Sequence, residues 1–152
     1  MRDRYLFRAK RIDNGEWVEG YYAVIGEKVV IIEKRGEEFY DVEREKKTHR
    51  NKVVEVDPST ICQCTGLKDK NDKLIFENDI CRRALLPTKR IKTNFKIAYV
   101  PYKCCLSAID LDGGNITFLS DYINNKYEVE IIGNIFDNKE LLESEDKYEN
   151  NY

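Results

Sequence analysis

The chain of 152 residues has no long apolar run. Its longest uninterrupted aliphatic stretch is Val29 to Ile32, whereas a membrane helix needs roughly 18 apolar residues. The N-terminus offers only Tyr5-Leu6-Phe7, short of the apolar segment of about 7–15 residues that a signal peptide needs. The chain therefore reads as soluble and cytoplasmic. Histidine occurs once, as His49, inside the polar stretch Glu43 to Lys52. A serine or cysteine nucleophile needs a positioned base, and this histidine has no supporting spacing around it. There is no glycine-rich phosphate loop. No Cys-x-x-Cys pair exists, which removes the common zinc and thioredoxin-like spacings. The 5 cysteines are an odd number, which argues against a disulfide framework. Cys62 and Cys64 share a face if they lie on a strand, Cys104 and Cys105 point oppositely, and all are expected as small buried hydrophobes. Asp110, Asp112 and Asn115 cluster around Gly113-Gly114 but lack the glycine and glutamate placements of an EF-hand, so they read as a hairpin turn. No catalytic residue, metal or cofactor is expected, and the chain reads as non-enzymatic.

Alanine is scarce as well, with 5 copies, and Ala, Leu and Met together give 16 residues. Ile, Val, Phe, Tyr, Trp and Thr give 48. Branched and aromatic side chains lose rotamer freedom in a helix but pack well on a pleated surface, so this ratio predicts a mainly β fold. Leu, Ile, Val and Phe number 41, about 27%, above the roughly 20% below which a chain cannot build a core.

The order of strands follows from turn signals. Asn14-Gly15 between apolar-containing runs predicts a hairpin with a type I′ turn, in which both central residues take φ > 0. Gly26-Glu27 predicts a second hairpin, between Tyr22–Ile25 and Val29–Ile32. Arg35-Gly36-Glu37 turns the chain before Phe39–Val42. Glu43 to Lys52 reads as an exposed loop or a strand extension. Strands are predicted near Val53–Val56, Thr60–Thr65, Ile80–Leu86, Phe95–Val100, Leu106–Leu111, Ile116–Leu119 and Tyr127–Ile131. In the last of these, Tyr127, Val129 and Ile131 alternate with Glu128 and Glu130, the period of a half-buried strand. Asp137 with Glu140 has capping-box spacing, predicting a short helix over 138–143 and a frayed tail after it. Phe7, Trp17, Tyr21 and Tyr22 are expected as core or cross-strand pairs, with an exposed contact patch as the lesser alternative, and with Trp17 and Tyr21 on one face and Tyr22 on the other. The parts divide as 1–60, a β-hairpin subdomain; 61–137, a second group of strands; and 138–152, the helix and tail.

Charge is unevenly placed. The net charge is −2 overall, but it runs 0 over 1–66, +6 over 67–107 and −8 over 108–152. No acid occurs between Ile80 and Ser107, while Arg82, Arg83, Lys89, Arg90, Lys92, Lys96 and Lys103 are all basic. Phe95, Tyr99 and Tyr102 interleave with them. Cations tracking phosphates beside aromatics that stack on bases are the recipe for single-strand nucleic-acid binding. Against it, the isoelectric point is near 5.6, where such domains more often exceed about 9, and the acidic 108–152 segment is at hand to neutralise the patch. A face of solvated or internally paired cations has the greater weight. Arg82, Arg83, Lys89, Arg90, Lys92 and Lys96 are the candidate nucleic-acid contacts.

Three stretches, in order, carry a resemblance. They are Phe7-Arg8-Ala9-Lys10 through Trp17-Val18-Glu19-Gly20-Tyr21; Gln63-Cys64-Thr65-Gly66-Leu67-Lys68-Asp69-Lys70-Asn71-Asp72-Lys73-Leu74-Ile75-Phe76-Glu77-Asn78-Asp79-Ile80; and Ile131-Ile132-Gly133-Asn134-Ile135-Phe136-Asp137-Asn138 with Leu141-Leu142. Together they resemble the YopX-like family of small phage and prophage proteins. The family pattern has Gly where this chain has Asp72 and Asn78, both residues that tolerate φ > 0; Asn14, Gly15, Gly66, Asp72, Asn78 and Gly133 are the expected turn positions. The resemblance implies a β-rich fold with a small SH3-like barrel in its second half, and a bacterial host cell. It supplies no biochemical activity. With no catalytic constellation in the residues, it points to an accessory protein that works by protein contact, with an unidentified partner or a second copy of itself.

Overall fold

The computed structural model describes residues 3–34, 37–124 and 126–143, and within its strands not the side chains of Glu37, Phe39 and His49. The expected turn at Arg35-Gly36, a His49-based dyad and the expected frayed tail lie outside the described residues. The protein is mainly β, with antiparallel sheets and, among the described residues, one short α-helix. It divides into two units, Met1–Gly66 and Leu67–Tyr152.

The first unit contains β1 (Phe7–Lys10), β2 (Trp17–Ile25), β3 (Lys28–Glu33), a separate hairpin of β4 (Glu37–Asp41) and β5 (Lys46–Arg50), then β6 (Val53–Glu55) and the start of β7 (Cys62–Lys68). The main sheet runs β6-β3-β2-β1-β7. Its register sets Ala9 opposite Val18 and Ile31 opposite Val54, so that they share a face. With Val56 they form this unit's core, and Phe7, Val29 and Ile61 pack against it. Arg11 bridges Val56, and the Asp57 amide donates to the Lys10 carbonyl at 2.8 Å. These bonds bring the end of β1 to the end of β6, so the sheet curls around its core.

The first hairpin is present, but its turn is not type I′. Only Gly15 has a positive φ, of 72°; Asn14 does not. The loop runs from Ile12 to Gly15, closed by Gly15 N to Arg11 O at 3.0 Å and Arg11 N to Glu16 O at 2.9 Å. Asn14 Oδ1 accepts from Glu16 N. A loop this long reverses the chain with a single left-handed residue. The second hairpin is as expected, with Ile25 opposite Lys28 and Gly26 at φ 64°. In 43–52, β5 pairs with β4 across a turn in which Asp41 Oδ1 accepts from the Glu43 and Arg44 amides.

In the second unit, β7 and β8 (Leu74–Phe76) lie side by side around the Asp69–Lys73 turn. They are followed by β9 (Asp79–Leu85), β10 (Lys92–Val100), β11 (Cys105–Asp110), β12 (Ile116–Phe118), α1 (Leu119–Tyr122) and β13 (Tyr127–Asn134). The sheet order is β12-β11-β10-β9-β13. Ile75, Cys81, Phe95, Ile97, Ala108, Leu119, Tyr122 and Val129 form its core. Where the resemblance implies a small barrel, no closed barrel is found among the described residues. β12 has only three residues, and the chain passes directly into α1, whose Leu119 and Tyr122 cover the apolar face of the sheet.

The replacements for glycine behave as expected. Asp72 has φ 63° and Asn78 φ 66°. The Asn78 corner is fixed from several sides: its amide donates to Ile97 O, its carbonyl accepts from Ile135 N, and buried Asp79 accepts from Phe76 N at 2.8 Å. Gly66 is left-handed, at φ 78°. Gly133 has a different role. Its φ is ordinary, but a Cβ there would lie 2.5 Å from Asn138 Oδ1, so a close approach at the β13 bulge requires it. The predicted terminal helix is a single 3-10 turn, Lys139–Leu142, and Asp137 does not cap it. Asn138 is the N-cap, and its Oδ1 is taken by the Asn134 amide instead.

Candidate functional site

The basic run falls on β9, the hairpin after it, and β10. Register separates its members. Arg82 lies opposite Asn94 on β10 and Glu130 on β13, while Lys92 and Lys96 lie opposite Ala84 and Ile80. Arg82, Lys92, Asn94 and Lys96 therefore share a face, and Arg82 Nε donates to Asn94 Oδ1 at 3.1 Å. Glu128 and Glu130 stand on that same face. Arg83 points to the opposite face. Its guanidinium lies 3.8 Å from the Tyr122 ring centroid and 5.2 Å from that of Tyr127. Its Nε donates to Thr93 Oγ1 at 2.6 Å, and it pairs with Asp110 at 3.8 Å.

Asp110 in turn accepts from the Tyr122 hydroxyl at 2.8 Å. Burial, helped by the Asp110 carboxylate, pushes the Tyr122 phenol above its ordinary value. Arg83, Asp110 and Tyr122 thus form a closed polar cluster at the margin of the core, satisfied within itself. Asp110 belongs to this cluster, and the hairpin reading of Asp112 to Asn115 holds through Gly114 N to Asp110 O and Asp110 N to Asn115 O.

Lys89 and Arg90 are in the β9–β10 connection. Lys89 has φ 54° and holds Glu128 at 2.6 Å. Lys70 reaches both Glu130, at 2.9 Å, and Glu128, at 3.4 Å. Glu130 and Glu128 hold the Lys70 ammonium above its usual pKa, and Lys89 holds the Glu128 carboxyl below its own. The acids of 108–152 are thus interleaved with the cations they were expected to meet. An open pocket of about 370 Å³ lies here, with Leu86, Ile123, Tyr127 and Val129 in its wall and Lys70 and Glu128 at its rim.

The first unit presents a different surface. Trp17 is half-buried beneath two cations, Arg8 at 4.8 Å and Lys10 at 5.4 Å from its ring. Further along β2 the expectation of core burial fails, and the strand presents the exposed patch that was its alternative. Tyr21 is 42%, Tyr22 44%, Val24 56% and Ile25 56% exposed. Both faces of this stretch are open where β2 continues past Gly20, the last residue that β1 pairs, so that β3 alone flanks it. Tyr22 keeps a cross-strand ring contact with Phe7 at 5.6 Å. Val53, opposite Ile32 on β3, is exposed too. Periodicity could not find this open stretch, since alternation marks faces and does not say which of them is covered. Among the cysteines, Cys62, Cys64 and Cys81 are buried as expected. Cys104 is exposed, because the turn of Pro101–Lys103 ends on it with φ 52°.

A profile described as YopX protein matches residues 6–143. This chain belongs to the YopX family. The match covers both units, and the three resembling stretches fall at β1–β2, at the β7–β9 corners and at β13 with the turn after it. No curated protein matches the chain. Among the described residues, no helix is long and apolar enough to cross a membrane, and no group of three or more His, Cys, Asp or Glu is placed to hold a metal ion.

Proposed function

We propose that this YopX-family chain is a phage- or prophage-encoded accessory protein that works by protein contact, without catalysis, and that the open end of β2 is its contact surface. The observation that carries this is the run of Tyr21, Tyr22, Val24 and Ile25, open on both faces of one strand. Scattered apolar residues on a surface are ordinary, whereas a contiguous set costs solubility unless a partner covers it. Tyrosine supplies large contact area with few rotatable bonds. A photo-crosslinking residue at position 22 or 24 is expected to give one discrete adduct in bacterial host lysate. The Val24→Asp/Ile25→Asp variant, folded by circular dichroism, is expected to lose it. Equal adducts from a control position in the Asn115 turn, or an adduct indifferent to the double variant, would overturn the reading.

A second reading is nucleic-acid binding, which draws on Arg82, Lys92 and Lys96 sharing a face. Lys89 and Arg83 are engaged elsewhere, and Glu128 and Glu130 border the cations, which lowers the field available to a phosphate backbone. Fluorescence anisotropy with single-stranded and duplex oligonucleotides separates the two readings. Steep weakening with salt and loss on Arg82→Ala/Lys92→Ala/Lys96→Ala would favour the second; no binding at low salt removes it.

A further inference from the structure

A long edge strand is a ready template for another strand, and proteins cover such edges or charge them. In the second unit the longer of the two edge strands is β13, with eight residues. On its inner side it pairs with β9 from Tyr127 to Asn134. Its outer side is occupied by a turn that forms no strand. The Lys70 amide donates to Val129 O at 2.8 Å, and the Ile131 amide donates to Asp69 Oδ2 at 3.1 Å. Asp69 is nearly buried, at 8% exposure. Its other oxygen accepts from the Asn71 and Lys73 amides at 2.8 and 3.0 Å, while its own amide donates to Lys73 O. One carboxylate thus closes the turn with one oxygen and fastens it to β13 with the other. The Lys70 side chain adds a clamp on Glu128 and Glu130 of the same strand.

We propose that the outer edge of β13 is a latent self-association surface, fitted to the β13 of a second copy of this chain, and that the Asp69–Lys70 turn is the strap that holds it shut. The pattern of the strand suits a copy of itself. Antiparallel pairing about a two-fold axis through Val129 sets Tyr127 opposite Ile131 and Val129 opposite Val129, so the apolar faces of the two sheets run together. The same register sets Glu128 opposite Glu130 of the second copy. Like charges directly opposite one another oppose pairing, so the two glutamates are a second barrier behind the strap.

The test is sedimentation velocity over a concentration series, on the full chain. Asp69→Ala, folded by circular dichroism, is expected to lower the concentration for half-dimerisation about tenfold relative to the parent. Adding Glu128→Gln and Glu130→Gln is expected to lower it further. In the dimer the outward-facing Val129 and Ile131 amides are expected to exchange slowly, paired with the second copy's strand. Unchanged association, or a dimer in which those two amides still exchange fast, overturns the proposal. Should Asp69→Ala not fold, Asp69→Asn serves instead. Its single carbonyl oxygen can keep either the turn or the Ile131 contact but not both, and the same association and exchange readouts decide.

Discussion

Gly20 lies in the middle of β2, opposite Phe7 of β1 and Glu33 of β3. Its conformation is ordinary, so any residue could adopt it. Space is the constraint. A Cβ built there would lie 2.0 Å from the Ile32 carbonyl oxygen, 2.7 Å from its carbon and 2.9 Å from the Glu33 Cα. All three are backbone atoms of a strand held on both sides, by β2 and β6, so no rotamer change relieves the clash. Overpacking costs about 1–3 kcal/mol where neighbours can move, and here the upper end applies. Loss of glycine's freedom in the unfolded chain returns about 0.4–1 kcal/mol. Gly20→Ala is therefore expected to destabilise the first unit by roughly 2–2.5 kcal/mol. At about 4–8 °C per kcal/mol for a unit of 60–100 residues, this lowers its melting temperature by roughly 8–20 °C. The single tryptophan, Trp17, is on the same strand, so thermal unfolding followed by its fluorescence reads the affected unit directly. Gly26→Ala is the control. Nothing lies within 4 Å of its Cβ, and only the left-handed φ of 64° is at stake, about 1 kcal/mol. A Gly20→Ala variant within about 0.5 kcal/mol of the parent, or less damaged than Gly26→Ala, would refute the argument.

Other outcomes follow from the same structure. Asp72→Gly relieves a left-handed non-glycine residue and forgoes only an exposed pair with Lys68; it is expected to raise the urea midpoint, by about 0.5 kcal/mol of stability, and a lowered midpoint would contradict this. Burial pushes the Asp69 carboxyl up, but the Ile131, Lys73 and Asn71 amides outweigh it and hold it below the ordinary value. Its contribution is therefore complete above the ordinary carboxyl range and is lost as pH falls through the lower folded value, so the parent should lose more stability than Asp69→Asn in acid titrations followed by circular dichroism. Mass-spectrometric thiol mapping with iodoacetamide should modify Cys104 first and Cys64 far more slowly. The Cys104 thiol is exposed, whereas burial raises the pKa of Cys64; comparable rates would count against the described packing.

Much of the fold was legible in short-range signals. Gly26-Glu27, the Asp72 and Asn78 corners, and the alternation of Tyr127, Val129 and Ile131 each state a local requirement, of handedness or period, that the chain meets. What failed depended on partners that a short motif does not specify, some of them near in sequence and some far. The Asn14-Gly15 turn differs from expectation because Arg11 supplies a carbonyl to Gly15 and lengthens the loop. Asp137 does not cap the last turn because Asn138 intervenes and its oxygen answers the Asn134 amide. The short α1 carried no amphipathic signal, since four residues hold too few turns to show a period. For the candidate site, the excess of cations over 80–107 was plain, but adjacent residues on a strand face opposite ways, so Arg82 and Arg83 part company. Glu128 and Glu130, far along the chain, come to stand beside Arg82 only through the pairing of β13 with β9. The exposed stretch of β2 was legible only as the lesser alternative, because aromatic and branched residues on a strand read first as core.

The loop from Ile12 to Gly15 has one more consequence. An Asn-Gly pair ages by attack of the glycine nitrogen on the asparagine side-chain carbonyl, with loss of ammonia and a succinimide ring as the product. Here the Gly15 nitrogen is committed to the Arg11 carbonyl, and Asn14 is tethered to Glu16 by both side-chain atoms. The reacting atoms are kept apart for as long as the hairpin is closed, so deamidation at Asn14 keeps a record of how long the chain has spent open.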